Sequence, residues 1–387
     1  MTQPAPELLR YIGLMSGTSM DGIDAVLLEV RQGRFAVTGS LHSAYPADLA
    51  ARLRAAIVDP DSAGLDDYGR LDVEVGEAFA HAASALMVQC GLQRQDVRAI
   101  GSHGQTILHR PRANPPCTLQ IGDANIIAER TGIDVVADFR RRDMAAGGEA
   151  APLVPAFHAA VFGSGNDTLV VLNLGGIANI TVLNGTDRVS GFDTGPGNCL
   201  MDAWAMRQLG TACDVDGKLA ARGHVHAELL GRLLAESYFS LPPPKSTGRE
   251  LFNDSFIDEA LEGLSVPPAD VQATLAELTA VTVCDAIRLH AGATPTRVLA
   301  CGGGVHNPHL MARIAAELQG IPLETTASAG IDPMQVEGAA FAWLAHRHLE
   351  RLPGNLPAVT GARAPRVLGA LFPGFTDMSR QAETMTE

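Results

Sequence analysis

The sequence predicts an α/β protein of two domains with a cleft between them. Three observations carry this reading. The chain has 387 residues, enough for two domains of about 100–200 residues each. It opens the same way twice: Tyr11 to Leu28 and Leu169 to Leu183 each read as an apolar strand, a short Gly-rich polar turn and a second apolar strand. After each opening, short apolar runs alternate with longer amphipathic ones, the pattern of α/β layers.

In chain order, residues 11–30 form the first hairpin. Residues 46–59 and 66–92 are helices, the second with an apolar stripe of Leu71, Val75, Phe79, Ala82 and Leu86. Residues 97–101 are a strand that closes in the polar run Gly101 to Thr106. Residues 117–121 are another strand, and Gly122 and Asp123 lead into a helix from about Ala124. A strand from Val135 to Asp138 ends in Arg140, Arg141 and Arg142. The Gly-, Ala- and Pro-rich stretch 145–155 reads as the joint between domains. The second half repeats the order: a hairpin at 168–183, a strand from Val189 to Phe192, and a tight turn from Asp193 to Asn198 into a helix. Residues 226–238 are helical and the Pro-rich run 241–250 is a stiff loop. Helix 270–291, strand 297–300, a Gly-rich turn from Cys301 to Asn307, helix 308–319 and a last helix from about Gln335 to Leu352 complete the chain. The expected domains are 1–148, completed by part of 335–372, and 149–334, with a loosely ordered tail over 373–387.

Composition narrows the function classes. A net charge of −14 argues against a nucleic-acid partner, because phosphate backbones need a basic face. No apolar run reaches the roughly 18 residues of a membrane span. The N-terminus lacks the basic and apolar regions of a secretory signal. Six cysteines without a CxxC pair point to reduced thiols in a cytoplasmic protein rather than to zinc or disulfides. An acidic protein can still bind an anionic nucleotide where backbone N–H groups, helix N-termini, one or two basic side chains and Mg²⁺ make the potential locally positive. A homodimer is expected for an enzyme of this size.

The run from Gly13 to Asp24 is the sharpest local signal. Gly17 and Gly22 permit close backbone approach, Thr18 and Ser19 supply hydroxyls, and Met20 and Ile23 lie in the same turn. Asp21 and Asp24 are candidate Mg²⁺ ligands, directly or through water. The loop is not a Walker A motif, since no Gly-Lys-Ser/Thr follows; an ordinary Asp-Gly hairpin is the alternative. Gly175, Gly176 and Asn179 form the matching tip in the second half. Asp193 reads either as a general base at a strand end or as a helix N-cap, with Gly195 and Gly197 placed to face a phosphate. His103, Gln105 and Asp123 suit sugar hydroxyls, or else satisfy local backbone. Gly302, Gly303 and Gly304 make a flat ledge for a base or ribose. Arg142 reads as an anion contact or a solvated charge, and Glu337 as a site acid or a helix N-terminal charge.

Together these segments resemble the anhydro-N-acetylmuramic acid kinases, within the superfamily of acetate and sugar kinases, Hsp70 and actin. The resemblance runs from about Tyr11 to Phe372. It is carried by Gly13 to Asp24, Gly101 to Thr106, Gln120 to Asp123, Ala137 to Asp143, Asn173 to Asn179, Phe192 to Asn198, Pro243 to Asn253 and Cys301 to Asn307. It implies a two-domain actin-like α/β fold with the nucleotide in the cleft. It also implies ATP with Mg²⁺, a small sugar substrate, and a reaction in which ATP and water convert 1,6-anhydro-N-acetylmuramic acid to ADP and N-acetylmuramic acid 6-phosphate. On this resemblance Asp193 is the base, Gly17 to Asp24 hold the ATP phosphates, and Arg142 and Glu337 contact the sugar. One departure stands out. The family typically reads Gly-Gly-Gln-Gly-Ala-Pro where this chain has Gly147, Gly148, Glu149, Ala150, Ala151 and Pro152.

Overall fold

The structure is a computed structural model describing residues 7–17, 20, 22–58, 63–163, 165, 167–185 and 188–375. The chain divides into two compact units, Met1–Phe157 with Glu337–Glu387, and His158–Val336.

Unit 1 begins with a three-stranded antiparallel meander, β1 (Leu9–Ser16), β2 (Gly22–Arg31) and β3 (Arg34–Ala44). Helices α1 (Ala47–Val58) and α2 (Leu65–Gln89) follow, the second burying the predicted Leu71, Val75, Phe79 and Leu86. Strand β4 (Ala99–Arg110) runs parallel to β1, β5 (Cys117–Ile121) pairs with its far end, and α3 (Ala124–Thr131) leads to β6 (Val135–Ala137), parallel to β4. The arginine cluster sits on a short helix, α4 (Phe139–Ala145). Helix α5 (Val154–Phe162) carries the chain into unit 2.

Unit 2 repeats the scheme. A meander of β7 (Thr168–Leu174), β8 (Ile177–Asn184) and β9 (Arg188–Pro196) leads into α6 (Cys199–Leu209). Helices α7 (Ala227–Leu234), α8 (Asp254–Leu261) and α9 (Pro268–His290) precede β10 (Arg297–Cys301), which is parallel to β7. Helix α10 (Pro308–Glu317) and β11 (Leu323–Thr325), parallel to β10, complete the sheet. The chain then re-enters unit 1 as α11 (Val336–Leu349), α12 (Pro357–Thr360) and β12 (Ala370–Phe372), the last beside β6.

The central strand orders are β6-β4-β1-β2-β3 and β11-β10-β7-β8-β9, which are the same order. The repeated hairpin is therefore the visible part of a repeated unit, and the α/β class expected from the sequence is the one observed. Each sheet has its own apolar core, with Ile12, Leu14, Leu53, Phe79 and Ile100 in unit 1 and Val170, Leu172, Ile180, Leu275 and Ile314 in unit 2. Helix α11 lies unusually close to its sheet. A Cβ on Gly13 would collide with the backbone of Gly338 and Ala342, and one on Gly101 with the carbonyl of Phe341. Glycine at these two strand positions lets the helix backbone descend onto β1 and β4, and so fixes where Glu337 begins the helix.

Candidate functional site

In unit 1, the C-terminal ends of the parallel strands β1 and β4 meet the start of β2 and the first turn of α11. Ligands of open α/β sheets bind at such strand ends. The loop after β1 contains Thr18, Ser19 and Asp21, which lie outside the described residues. Gly17 accepts at its carbonyl from the Met20 amide at 3.3 Å and from Gln105 Nε2 at 3.3 Å. Gln105 is fully buried, and its Oε1 also accepts from Ser16 Oγ at 2.7 Å. Its amide thereby shapes the turn by donating to backbone carbonyls, that of Gly17 and that of Thr106 at 3.4 Å. Met20 and Ile23 are buried side chains of the unit 1 core, so only their backbone faces the loop. Gly22 starts β2, with its carbonyl 2.8 Å from Ser16 Oγ, whose single hydrogen it shares with Gln105 Oε1.

Asp24, on the third rung of the β2–β3 ladder, lies opposite His42, with Oδ1 2.8 Å from His42 Nδ1. Glu337 is held in the protonated direction by burial and then by the charge of Asp24, with Arg140 acting the other way. Arg140 donates from Nε to His103 Nε2 at 3.0 Å and from Nη1 to the Ala150 carbonyl at 2.7 Å. Its guanidinium is pushed down to about 10 by burial, against the charges of Glu337 and Asp143. His103 sits at a bulge in β4 where Gly104 has φ +75°, and its Nδ1 lies 2.8 Å from the Gly104 carbonyl. Burial and then Arg140 hold it well below the usual imidazole range. It is thus neutral, donating from Nδ1 and accepting at Nε2. Among the arginines of α4, Arg140 is the one turned into this cluster, whereas Arg142 is exposed. Asp123 caps α3, its Oδ1 accepting from the Asn125 amide at 2.8 Å.

The departure noted at Ala150 has a structural counterpart. Ala150 is fully buried with φ +60°, a left-handed conformation that glycine adopts freely and alanine does not. Its amide donates to Asp143 Oδ2 at 2.9 Å and its carbonyl holds Arg140. Asp143 is fully buried and also accepts from Asn355 Nδ2 at 2.6 Å and Thr360 Oγ1 at 2.8 Å. This network keeps the strained residue, and with it Arg140, in place.

In unit 2 the equivalent corner is zipped by backbone bonds. The amides of Gly197, Asn198 and Cys199 donate to the carbonyls of Gly176, Gly175 and Gly176 at 2.9, 2.8 and 3.0 Å. The α6 N-terminus is thus laced to the β7–β8 tip. Gly197 is glycine because a Cβ there would strike the Gly175 carbonyl. Gly302 and Gly304 are crowded by Asn173, Leu174 and Asn198, while Gly303 faces open space. Asn179 lies across the ladder from Asp193.

Asp193 is inside β9, not in a turn after it. The strand continues to Pro196 through a bulge at Thr194, with Gly195 at φ +146°. The side chain is half-buried, and the backbone is pinned at both ends: its amide donates to the Lys245 carbonyl at 3.2 Å and its carbonyl accepts from Tyr238 Oη at 2.7 Å. The carboxylate Oδ2 accepts from the Thr247 amide at 3.1 Å. Asp193 does not cap α6, whose N-cap residue is Asn198. Lys245, Tyr238 and Thr247 were not singled out by the sequence reading, because a Pro-rich loop carries no periodicity to say what it packs against.

All six cysteines are free, and no helix among the described residues is long and apolar enough to cross a membrane. Among the described residues, no group of three or more His, Cys, Asp or Glu side chains converges as a metal site.

A family model described as anhydro-N-acetylmuramic acid kinase matches residues 9–374. A protein of that name from Xanthomonas campestris pv. campestris (strain 8004) is 52% identical over 94% of this chain and 97% of its own length. One from Xylella fastidiosa (strain Temecula1) is 50% identical over 96% and 97%. Among solved structures, component A of the (R)-2-hydroxyglutaryl-CoA dehydratase of Acidaminococcus fermentans is similar at 12% identity and a TM-score of 0.45, over 86% of this chain and 96% of that one. On its match across nearly the whole chain, this protein is an enzyme belonging to the anhydro-N-acetylmuramic acid kinase family.

Proposed function

We propose that the enzyme uses ATP and water to open the 1,6-anhydro ring of 1,6-anhydro-N-acetylmuramic acid and to phosphorylate O6, giving N-acetylmuramic acid 6-phosphate and ADP. The observation that carries this reading is Asp193, a half-buried carboxylate held by a backbone N–H on a strand beside the Gly-rich tip. Asp193 takes a proton from water, and the water oxygen attacks the anomeric carbon opposite the bridging oxygen. The C1–O6 bond breaks, and its electron pair goes to O6. O6 takes the γ-phosphoryl group, and ADP leaves. One carboxylate acting as base is the logic of an inverting glycosidase; the transfer itself needs mainly positioning and charge neutralisation.

Gly17 to Asp24, with Gly175, Gly176 and the ledge at Gly303, are assigned to the nucleotide. Mg²⁺, when bound, neutralises phosphate charge; Asp24 would hold it with Asp21, and the carboxylate of Glu337 fits the same chemistry. Glu337 and Arg140, both half-buried beside His103, are proposed as sugar contacts alongside Arg142. We place the activity in the cytoplasm, in recycling of cell-wall amino sugar.

The test is ADP release with Mg·ATP, comparing the anhydro sugar with N-acetylmuramic acid, N-acetylglucosamine and glucose, run in ¹⁸O-labelled water. Turnover confined to the anhydro sugar, with label at the anomeric position of a 6-phosphorylated product, is expected. Turnover with an open hexose and no label would make the protein an ordinary sugar kinase.

A further inference from the structure

The loop from Leu241 to Glu250 takes no part in the reaction as written, yet it wraps Asp193. The wrap begins at Tyr238, in a single 3-10 turn (Ser237–Ser240), whose hydroxyl donates to the Asp193 carbonyl. It ends at Thr247, whose amide donates to the carboxylate. Between them Lys245 is almost fully buried, at 6% exposure. Its Nζ donates to the carbonyls of Tyr238 and Phe239 at 3.2 and 3.1 Å. It lies 4.7 Å from the Tyr238 ring centroid and 5.8 Å from that of Phe192, the residue before Asp193. Its own carbonyl accepts from the Asp193 amide. Phe239 fills the space that a Cβ on Gly195 would need, so glycine at 195 serves the wrap as well as the strand bulge.

An ammonium in such a place is costly to desolvate unless bonded, and burial pushes it below its ordinary range. Two carbonyls and two aromatic faces are the compensation. Without the cation, the Phe239 carbonyl loses the Lys245 donor, the Tyr238 carbonyl keeps only the Leu241 amide at 3.1 Å, and the segment 238–247 loses the side-chain tie between its two ends.

We propose that Lys245 is a positioning residue for Asp193, closing the strap from Tyr238 to Thr247 so that the Thr247 amide fixes the direction of the carboxylate. The proposal rests on the reading of Asp193 as base. A base displaced by about 1 Å loses roughly 10²-fold in rate while ground-state binding is spared.

The test is steady-state ADP release with the anhydro sugar by the full chain carrying K245M or K245R. For K245M we expect kcat to fall about 10–100-fold, with KM for sugar and for ATP each within about threefold of wild type. K245R, which keeps a cation able to donate to both carbonyls, recovers most of the loss. A K245M kcat within about threefold of wild type, or a sugar KM that rises as far as kcat falls, overturns the proposal. If K245M does not fold, Y238F removes only the hydroxyl that holds the Asp193 carbonyl. A kcat loss of about 3–10-fold at constant KM supports the strap, and an unchanged kcat overturns it. D193N, measured alongside, separates the two ideas. A slow D193N with a fast K245M removes the strap only, whereas a D193N within about tenfold of wild type removes the base reading itself.

Discussion

The two units place different chemistry on the same rung of the same scaffold. Counting from the hairpin tip, the third rung of the β2–β3 ladder pairs Asp24 with His42, and that of the β8–β9 ladder pairs Asn179 with Asp193. In unit 1 the carboxylate is on the inner strand and meets an imidazole, with Glu337 and Arg140 in electrostatic reach. In unit 2 it is on the edge strand, lies across from Asn179, and takes a backbone N–H from the strap at Thr247. The bulge at Thr194 permits the difference, since it turns the end of β9 while the ladder continues. The lesson is that strand order fixes where a carboxylate sits, and the neighbours brought by later loops fix what it is for. An acid among other charges suits cations and phosphates; an acid among amides suits proton transfer.

The sharpest way to break this contrast is Asp193→Asn, which keeps the shape and cannot take a proton. We expect kcat to fall about 10²–10⁴-fold in the ADP-release assay while nucleotide binding, followed by calorimetry, is retained. Next in size is Arg140→Met. It removes the half-buried guanidinium that donates to His103 Nε2 and the Ala150 carbonyl, and leaving such acceptors without their donor costs about 1–3 kcal/mol. A clear drop in the thermal midpoint is expected. Arg142→Ala, two residues along and exposed, should stay within about 0.5 kcal/mol; equal effects of the two would show that burial does not set the importance of these arginines. If Arg142 also touches the sugar, its alanine variant raises the sugar KM more than the ATP KM.

Much of this was legible before the structure. The hairpins, the long helices α2 and α9, and the placement of α11 follow from periodicity and Gly-rich turns. What stayed hidden has physical causes. Strand β3 reads as polar because it is a half-exposed edge with alternating side chains. His103 and Asp193 read as turn residues because glycine follows each closely, yet both lie inside strands that bulge. Asp123 reads as a sugar contact or as a residue serving local backbone, and in the structure it accepts from an α3 amide as that helix's N-cap. The choice between Arg140 and Arg142 depends on which face of α4 meets β4, which a seven-residue helix does not reveal. The departure at Ala150 is visible in the sequence, but only its positive φ shows what an alanine there involves. Lys245 was invisible because its partners are carbonyls, and any sequence supplies those.

A third comparison concerns the buried histidines. Each unit holds one neutral: His103 in unit 1, and His158 in unit 2, whose Nδ1 lies 2.9 Å from Thr181 Oγ1. Burial pushes His158 down to about 3. Above its ordinary value of about 6.5 it is neutral whether folded or unfolded, and the stability is fully present. Below that value the unfolded chain binds a proton the folded chain refuses, so stability falls with falling pH until about 3. His158→Gln should flatten the acid limb between these values by as much as about 1.4 kcal/mol per pH unit, read by urea titration at a series of pH values. An unchanged limb would mean that this histidine charges without unfolding.

The smallest effect expected is at the rung where the comparison began. The side chains of Asp24 and His42 are 36% and 51% exposed, and such pairs contribute only about 0–1 kcal/mol. His42→Gln should therefore leave the thermal midpoint nearly unmoved. Its value lies in the metal titration. If Asp24 offers its carboxylate to Mg²⁺, the imidazole at 2.8 Å competes for the same oxygen. Removing it should lower the Mg²⁺ concentration for half-maximal turnover by no more than about fivefold, the equivalent of about 1 kcal/mol. Asp24→Asn should raise that concentration instead. Opposite shifts would identify the unit 1 rung as the cation-facing counterpart of the proton-taking rung in unit 2. Two flat titrations would mean that Asp24 and His42 are an ordinary surface pair, and that the carboxylate donors for Mg²⁺ lie elsewhere in the first hairpin.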